Sequence, residues 1–226
     1  IFGKIEPFAQ YGFNKSHAAA YALIAYQTAF LKTYYKEDFI AATMTTELTN
    51  TSKLREFVEE LKRLKIKIIR PCINECFAEF KAEKNIIYYG LGAIKSVGFE
   101  AISNIIIERE KNGKFESLIN FIERVDARDV NKLQLEGLVK SGAFDEFDTD
   151  RNKILNSIPK IIQQIKNANE DKSNNQTGLF DNIDSKKNFD YIQSNPWSKK
   201  ELLYEEFKSL GFYMSDHPLN DYGEIF

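Results

Sequence analysis

The sequence predicts a mainly α-helical fold with one small β-sheet, an α+β protein in which helices dominate. Most long segments place apolar residues at three- and four-residue steps, the spacing of one face of a helix. Between Ile66 and Ile94 the period shortens, and runs rich in Ile and Tyr predict short strands. Because 43% of the 226 residues are hydrophobic, the chain can bury the core of one large domain or of two small ones.

The first long helix follows a polar loop and is predicted to run from Ala18 to Tyr35. Asn14 and Ser16 are N-cap candidates, since a short side-chain oxygen can accept from the free N–H groups of the first turn. With Lys15 beside them, these N–H groups favour an anion such as a phosphate. Apolar residues occur on nearly every face of the helix, so we predict that it is buried.

His17 and Tyr21 are four residues apart and therefore share a face of this helix. Spacing alone favours an ordinary capped core helix, in which the two side chains satisfy backbone groups. A ligand site at the start of the helix is the alternative.

Two further helices are predicted from Glu37 to Leu48 and from a cap at Ser52 onwards. The second of them carries an amphipathic stripe that ends near Leu64. From Lys53 to Arg70 there are seven Lys and Arg residues against three Glu, a net charge of +4. This charged face is either solvated or contacts phosphates.

Three short strands are predicted at 66–71, 77–81 and 85–90, forming a small sheet that joins two helical parts. Cys72 and Cys76 lie in this region, and no His stands at the distance that completes a zinc set. We interpret them as reduced core or surface thiols and predict no metal site in this chain.

The segment from Leu91 to Ile106 resembles a helix-hairpin-helix motif, in which a tight turn presents backbone N–H groups to DNA phosphates. Lys95, Ser96, Val97 and Gly98 form the turn, with Lys95 adding a cation and Gly98 permitting a positive φ and close approach. Such a turn contacts DNA without reading its sequence. Ser96 stands where the motif prefers its first glycine, so a plain helical hairpin without DNA contact remains the alternative.

A second helical pair is predicted from Asp129 to Ile165, with Asp148-Thr149-Asp150 capping the helix that starts at Arg151. It has no obvious turn for a phosphate, so we assign it a packing role. From Lys166 to Asn188 the composition changes to Asn, Lys, Asp and Ser, which predicts a flexible linker. The linker contains Gln176-Thr177-Gly178-Leu179-Phe180, where an isolated Leu-Phe pair is either incidentally exposed or binds a partner.

The last part, 189–226, is predicted to contain a short helix from Lys199 to Leu210, and His217 is interpreted as a structural turn residue before Pro218. From Asp181 onwards nine acidic residues stand against five lysines. The whole chain has a net charge of −2, so any nucleic-acid binding must come from local patches. No apolar run is long enough to predict a membrane span, and no targeting segment is recognised.

The segment from Phe8 to Tyr21 resembles the fingers-domain signature of the C-family bacterial replicative DNA polymerases, the DNA polymerase III alpha subunits. The resemblance implies that 1–82 is the C-terminal part of a fingers domain and that 83–165 is a tandem helix-hairpin-helix region that binds DNA. It implies further that 166–188 is a flexible linker with a clamp-binding motif and that 189–226 leads towards an oligonucleotide-binding domain. It also implies roles for three residue sets: nucleotide contact by Asn14, Lys15, Ser16, His17 and Tyr21; duplex contact by Lys95, Ser96, Val97 and Gly98; and sliding-clamp binding by Gln176, Leu179 and Phe180.

Template-directed phosphoryl transfer in this family uses two metal ions held by carboxylates of a palm domain. Those carboxylates are not found in this sequence, so we expect the chain to be inactive alone, with no cofactor of its own and magnesium in the full enzyme. The resemblance implies a cytoplasmic polymerase with four kinds of partner: primer-template DNA, deoxynucleoside triphosphates, the sliding clamp (beta subunit) and other replisome subunits. We read the chain as a piece of that larger protein.

Two other functions account for part of the sequence. A non-catalytic helix-hairpin-helix module of a repair or recombination factor explains Lys95 and Gly98, but it leaves the segment from Phe8 to Tyr21 and the Gln176 motif unexplained. A serine or thiol hydrolase using Ser16 and His17 is disfavoured, because adjacent residues on a helix point apart and no acid is placed to orient the His.

Overall fold

The computed structural model describes residues 2–3, 15–173 and 189–222, with the backbone alone for Lys15, Lys172, Ser173, Asp221 and Tyr222. Its helices are α1 (Lys15–Tyr34), α2 (Lys36–Thr46), α3 (Thr51–Leu64), α4 (Phe99–Asn112), α5 (Leu118–Arg124), α6 (Lys132–Ser141), α7 (Arg151–Ser173) and α8 (Lys199–Leu210). Its strands are β1 (Lys67–Ile69), β2 (Lys81–Glu83) and β3 (Ile86–Tyr88). The predicted mainly α fold with a small sheet is confirmed.

Helix α1 differs from its prediction because its apolar side chains are exposed. Tyr21, Leu23 and Tyr26 are 59%, 58% and 68% exposed, respectively. The prediction of burial was therefore wrong for the described residues. An all-round apolar sequence predicts that a helix has partners on several sides, but α1 packs chiefly against its neighbour α2.

Helices α2 and α3 form the first part of the core. Ile40 and Met44 of α2 are buried in the same cluster as Leu54 and Val58 of α3, and the two helices contact each other. The N-cap of α3 is Asn50, whose side chain accepts from the Lys53 N–H at 3.2 Å, and not the predicted Ser52, which lies in the first turn. Asparagine and serine are comparable caps, so composition alone did not separate the two.

The sheet has the order β1-β3-β2, with β1 parallel and β2 antiparallel to β3. Lys84 and Asn85 join β2 to β3, and both adopt a positive φ, as a two-residue hairpin turn requires. The second strand along the chain was predicted at 77–81, but β2 lies at Lys81–Glu83. Phe77 makes only an isolated bridge to Gly90.

Helices α4 to α7 build the second part of the core around a run of aromatic rings. Phe121 lies 5.1 Å from both Phe115 and Phe144 between ring centroids, in edge-to-face contacts. Phe121 belongs to α5, which was not predicted. Asp150 caps α7 as predicted, since its side chain accepts from the Lys153 N–H.

Helix α7 continues to Ser173, so residues 166–173 are not linker and that part of the prediction was wrong. The Asn169 side chain accepts from the Ala127 N–H at 3.1 Å and donates to the Val125 carbonyl at 3.0 Å. The linker prediction rested partly on Asn169, but this residue binds α7 to the loop after α5. The remaining residues of the predicted linker, 174–188, lie outside the described residues.

The chain after 189 returns along α7 and then forms α8. The Ile192 N–H donates to the Ser157 hydroxyl at 2.8 Å. Helix α8 begins at Lys199 and ends at Leu210, as predicted, and Ser198 and Glu201 form a capping box at its start. The His217 Nδ1 accepts from the Leu219 N–H at 3.2 Å, so His217 is a turn residue as predicted.

Candidate nucleic-acid interface

The turn at 94–98 connects a short 3₁₀ segment, Leu91–Ala93, to the start of α4. Ile94 and Val97 are buried and anchor the turn in the core. Lys95, Ser96 and Gly98 are exposed at the surface. The two apolar side chains therefore hold the turn while its polar part faces solvent.

The bend of this turn lies at Ser96, which has φ = +67°, a conformation that favours glycine. Gly98 has φ = −73° and ψ = 131°, an extended conformation open to any residue. The expectation that Gly98 supplies a positive φ was wrong. The position where the motif prefers glycine does need the left-handed region, and here a serine occupies it.

The free N–H groups of the turn and of the first turn of α4 form a donor-rich surface. The Lys95 N–H donates to the Ser209 carbonyl at 2.9 Å, and the Val97 N–H donates to the Ile94 carbonyl at 3.1 Å. Within the described residues, the N–H groups of Ser96 and Gly98 have no such acceptor. The N–H groups of residues 99–101 also lack a backbone acceptor in the described part of the chain, as is usual in the first turn of a helix.

The electrostatics of this surface are mixed. The N–H groups and the dipole of α4 attract an anion, and Lys95 adds a full positive charge. Glu100 is exposed in the first turn of α4 and opposes the same anion. The arrangement therefore suits a contact with one backbone phosphate, supported by the dipole and Lys95 together, and not a strongly basic patch.

A groove of about 100 Å³ lies beside the turn. Its lining includes Lys95, Ser96, Gly137, Lys140 and Lys208. Glu205 pairs with Lys140 at 3.2 Å and with Lys208 at 2.6 Å. The hydrogen bond to Glu205 raises the pKa of Lys208, which stays charged at neutral pH.

The second hairpin turn, after α6, is filled by a side chain of the protein itself. Gly142 has φ = +87°, and a Cβ there would overlap the Arg151 guanidinium. Arg151 is bidentate to Asp145 at 2.7 and 2.6 Å and donates to the Lys140 carbonyl at 3.0 Å. This guanidinium occupies the inner side of the turn, in keeping with the packing role assigned to it.

The structure places part of the predicted nucleotide site at the start of α1. Ser16 lies inside the first turn and is not the N-cap, since the helix begins at Lys15. Ser16 and His17 are exposed, and the rings of His17 and Tyr21 lie 4.3 Å apart between centroids. Asn14 lies outside the described residues, so the site is described only in part.

The predicted clamp motif of Gln176, Leu179 and Phe180 lies outside the described residues. Among the described residues, no group of three or more His, Cys, Asp or Glu side chains is placed to hold a metal ion. Both cysteines are free thiols, and burial raises the pKa of Cys76 to about 12. No helix in the described ranges is long and apolar enough to cross a membrane.

Sequence reasoning missed three residues that frame the hairpin turns: Arg151, Glu206 and Ser209. Arg151 and Glu206 are charged and yet only 5% and 1% exposed. Both lie on the apolar stripe of their helices, since Arg151 is three residues before Ile154 and Glu206 is three after Leu203. Helical spacing was therefore the signal that could have marked them as buried. Ser209 acts through its carbonyl, which a sequence does not reveal.

One part of the chain matches a known family model. Residues 65–154 match a family model described as a helix-hairpin-helix motif. The matched range contains the sheet, both hairpin turns and helices α4 to α6.

The whole chain is also similar to named proteins, each of them a DNA polymerase III subunit alpha. The chain is 44% identical to that of Borreliella burgdorferi over 226 residues, 43% to that of Neisseria meningitidis serogroup B over 227, and 39% to that of Caulobacter vibrioides over 221. These alignments cover 98–99% of the chain and 19–20% of the relatives. The chain therefore spans about a fifth of the length of the relatives it matches.

Proposed function

We propose that this chain is a segment of a bacterial DNA polymerase III alpha subunit and that it holds primer-template DNA through the turn at 94–98. The observation that carries the proposal is the exposed turn itself, which presents the Lys95 side chain and free N–H groups at the start of α4. Similarity to DNA polymerase III alpha subunits along nearly the whole chain supports the polymerase over a free-standing repair module.

The turn suits backbone recognition because N–H groups and a lysine bind phosphates without distinguishing bases. Each phosphate that a cation neutralises releases condensed counterions, which makes binding dependent on salt. The proposed role is to hold the duplex in place while a catalytic domain elsewhere in the polymerase joins the nucleotide.

A binding titration tests this role. We expect Lys95→Ala to weaken binding to duplexes of unrelated sequence by the same factor. The slope of log affinity against log salt concentration should become shallower by about one. The measurement is fluorescence anisotropy across a salt series.

Lys111→Ala is the matched control, because Lys111 is also exposed but lies in the last turn of the same helix. It should leave both affinity and slope unchanged. Equal effects of the two variants, or no effect of Lys95→Ala, would assign the turn to packing alone.

The start of α1 is proposed to contact the incoming deoxynucleoside triphosphate through Asn14, Lys15, Ser16, His17 and Tyr21. The exposure of Ser16 and His17 supports this, since a helix start open to solvent can accept a phosphate. In the full subunit with its magnesium ions, Lys15→Ala and His17→Ala should each raise the KM for nucleotides. An unchanged KM in both variants would remove these residues from the nucleotide site.

Gln176, Leu179 and Phe180 are proposed to bind the sliding clamp, with the Leu-Phe pair entering an apolar pocket of that partner. The double variant Leu179→Ala, Phe180→Ala should abolish capture of the clamp and leave duplex binding unchanged. Asn174→Ala with Asn175→Ala serves as the control in the same segment. Clamp capture that survives loss of the Leu-Phe pair would exclude the motif.

The remaining assignments belong to the polymerase as a whole. We propose that it acts in the cytoplasm with other replisome subunits and that this chain alone has no polymerase activity. Assay of the isolated chain on a primed template tests the last point, and measurable nucleotide incorporation would contradict it.

A further inference from the structure

Helix α8 touches both hairpin turns, although it lies far from them in sequence. Near its carboxyl end, the Ser209 carbonyl accepts the Lys95 N–H of the first turn at 2.9 Å. Three residues earlier, the Glu206 Oε2 lies 3.9 Å from the Nη1 of Arg151, whose guanidinium fills the second turn. One helix thus connects the two turns.

Glu206 is a buried carboxylate, 1% exposed, with a defined set of partners. Its Oε1 accepts from the N–H groups of Met214 at 2.8 Å and Ser215 at 2.9 Å. Its charge faces Arg151, which is itself 5% exposed. Removing the Glu206 carboxylate would leave these two N–H groups without their acceptor and would remove the contact of α8 with Arg151, which keeps its bidentate pair with Asp145. Glu206 thus ties α8 to the segment that follows it and to the second turn.

The position of Glu206 determines that of the Ser209 carbonyl, because residues three apart lie on the same side of a helix. Beyond the helix, Gly211 is packed so closely that a Cβ there would lie 2.8 Å from the Thr51 Cβ. At the other polar group of the same residue, Gly137 of α6 approaches the Lys95 carbonyl, where a Cβ on Gly137 would lie 2.7 Å from the oxygen. The first turn therefore contacts both α6 and α8.

We propose that Glu206 is a positioning residue for DNA binding. Its buried carboxylate fixes α8, and the Ser209 carbonyl then holds the turn at 94–98 in the conformation that presents its N–H groups to a phosphate. Glu206 itself does not touch DNA. The inference rests on the proposed function of the turn and adds a residue more than one hundred positions away to the same binding unit.

Amide hydrogen exchange reports on this contact directly. In the wild-type chain the Lys95 N–H, which donates to Ser209, should exchange slowly, while the Ser96 N–H, which has no such acceptor, should exchange fast. In Glu206→Ala we expect Lys95 exchange to become fast. Duplex affinity should fall about fivefold to tenfold, the factor that corresponds to the net value of one hydrogen bond.

Two further variants separate positioning from general loss of stability. Glu206→Gln keeps the side-chain volume and an oxygen for the Met214 and Ser215 N–H groups, and it should fold with an intermediate loss of affinity. Ile122→Ala removes buried volume on α5, which packs against α7. It should lower the free energy of unfolding and leave Lys95 exchange and duplex affinity unchanged.

The outcomes are distinguishable. If Lys95→Ala weakens DNA binding but neither Glu206 variant changes affinity or Lys95 exchange, the inference is wrong and the proposed function stands. If the wild-type chain does not bind duplex DNA, the proposed function fails, and Lys95 exchange alone decides whether Glu206 positions the turn. If Glu206→Ala does not fold, the same measurements on Glu206→Gln decide.

Discussion

Ser96 is the residue at which the conformation of the hairpin turn is set. Its φ of +67° places an L-amino acid in a region that only glycine adopts without steric cost. Its side chain is exposed. Serine is therefore tolerated at position 96, and glycine would adopt this conformation at a lower steric cost.

We expect Ser96→Gly to tighten duplex binding, because it relieves the positive φ and clears the approach to the N–H groups. The free energy of unfolding should rise by at most about 1 kcal/mol, since the greater freedom of glycine in the unfolded chain offsets part of the gain. Denaturant titration and anisotropy measure the two quantities. Ser96→Ala keeps the strained φ and should not tighten binding; a Gly variant that binds more weakly would contradict the assignment.

A pH titration applies to Asp216. A hydrogen bond from Lys199, supported by the Asn220 side chain and the His217 N–H, lowers the pKa of Asp216 from its usual 3.8 to about 2. A carboxyl group with a lowered pKa in the folded state stabilises the fold above its unfolded pKa. That contribution is lost as the pH falls through the folded pKa.

We therefore expect Asp216→Asn to lower the free energy of unfolding at neutral pH. The difference from the wild type should shrink below about pH 4 and vanish only below about pH 2. Chemical denaturation across this range measures it. A difference that stays constant with pH would show that the charge of Asp216 is not responsible.

Among the elements, α8 was predicted with its bounds because its signals are local. Ser198 and Glu201 form a capping box and Gly211 ends the helix with φ = +85°, so both ends are visible in the sequence. The strand at 77–81 and the cap at Ser52 were misplaced because alternation and cap composition shift by a few residues without changing the pattern. The end of α7 was missed because Asn169 looks like linker until its partners at 125 and 127 are known.

The β2–β3 hairpin offers a prediction of its own. Lys84 and Asn85 both have positive φ, at 49° and 63°, in a turn where Asn-Gly is the favoured pair. Asn85→Gly should raise the free energy of unfolding by on the order of 0.5 kcal/mol, because glycine adopts this region without steric cost. Asn85→Ala should lower it. Thermal denaturation of the two variants measures both changes. Equal shifts in the same direction would argue against a positive φ at Asn85.

At the scale of the whole molecule, sequence periodicity predicted the helical fold, and the resemblance of 91–106 to a helix-hairpin-helix motif located the hairpin turn. It could not predict which distant groups meet at that turn. The Lys95 N–H to Ser209 carbonyl bond and the pairing of Arg151 with Glu206 join segments separated by the predicted linker, and such contacts follow from tertiary packing. The exposure of α1 was also missed, since an apolar sequence shows that a helix needs partners but not which ones are present.

The exposed face of α1 makes a prediction for the chain in solution. Leu23→Gln with Tyr26→Gln should leave the free energy of unfolding within about 0.5 kcal/mol of wild type, as is usual for surface positions. The same change should reduce binding of an apolar dye and self-association, because exposed apolar patches drive both. Met44→Ala is the contrasting variant: Met44 is fully buried, and its truncation should cost about 2–5 kcal/mol.

If the double variant Leu23→Gln, Tyr26→Gln lowers the free energy of unfolding as much as Met44→Ala does, the side chains of Leu23 and Tyr26 are covered in solution. Denaturant titration measures the destabilisation, and sedimentation of the same samples measures self-association. Together they decide whether the α1 side chains are exposed or covered in solution.

The mixed pairing of the sheet has a consequence for the order in which the chain folds. Strands β2 and β3 are joined by two residues, so their loop closes at little entropic cost and on the microsecond scale of isolated hairpins. Strand β1 runs parallel to β3 and can join only after the chain between 70 and 80 has crossed over and buried Cys76. We therefore expect the hairpin to serve as a template, with the arrival of β1 completing the sheet and bringing α3 onto the rest of the core.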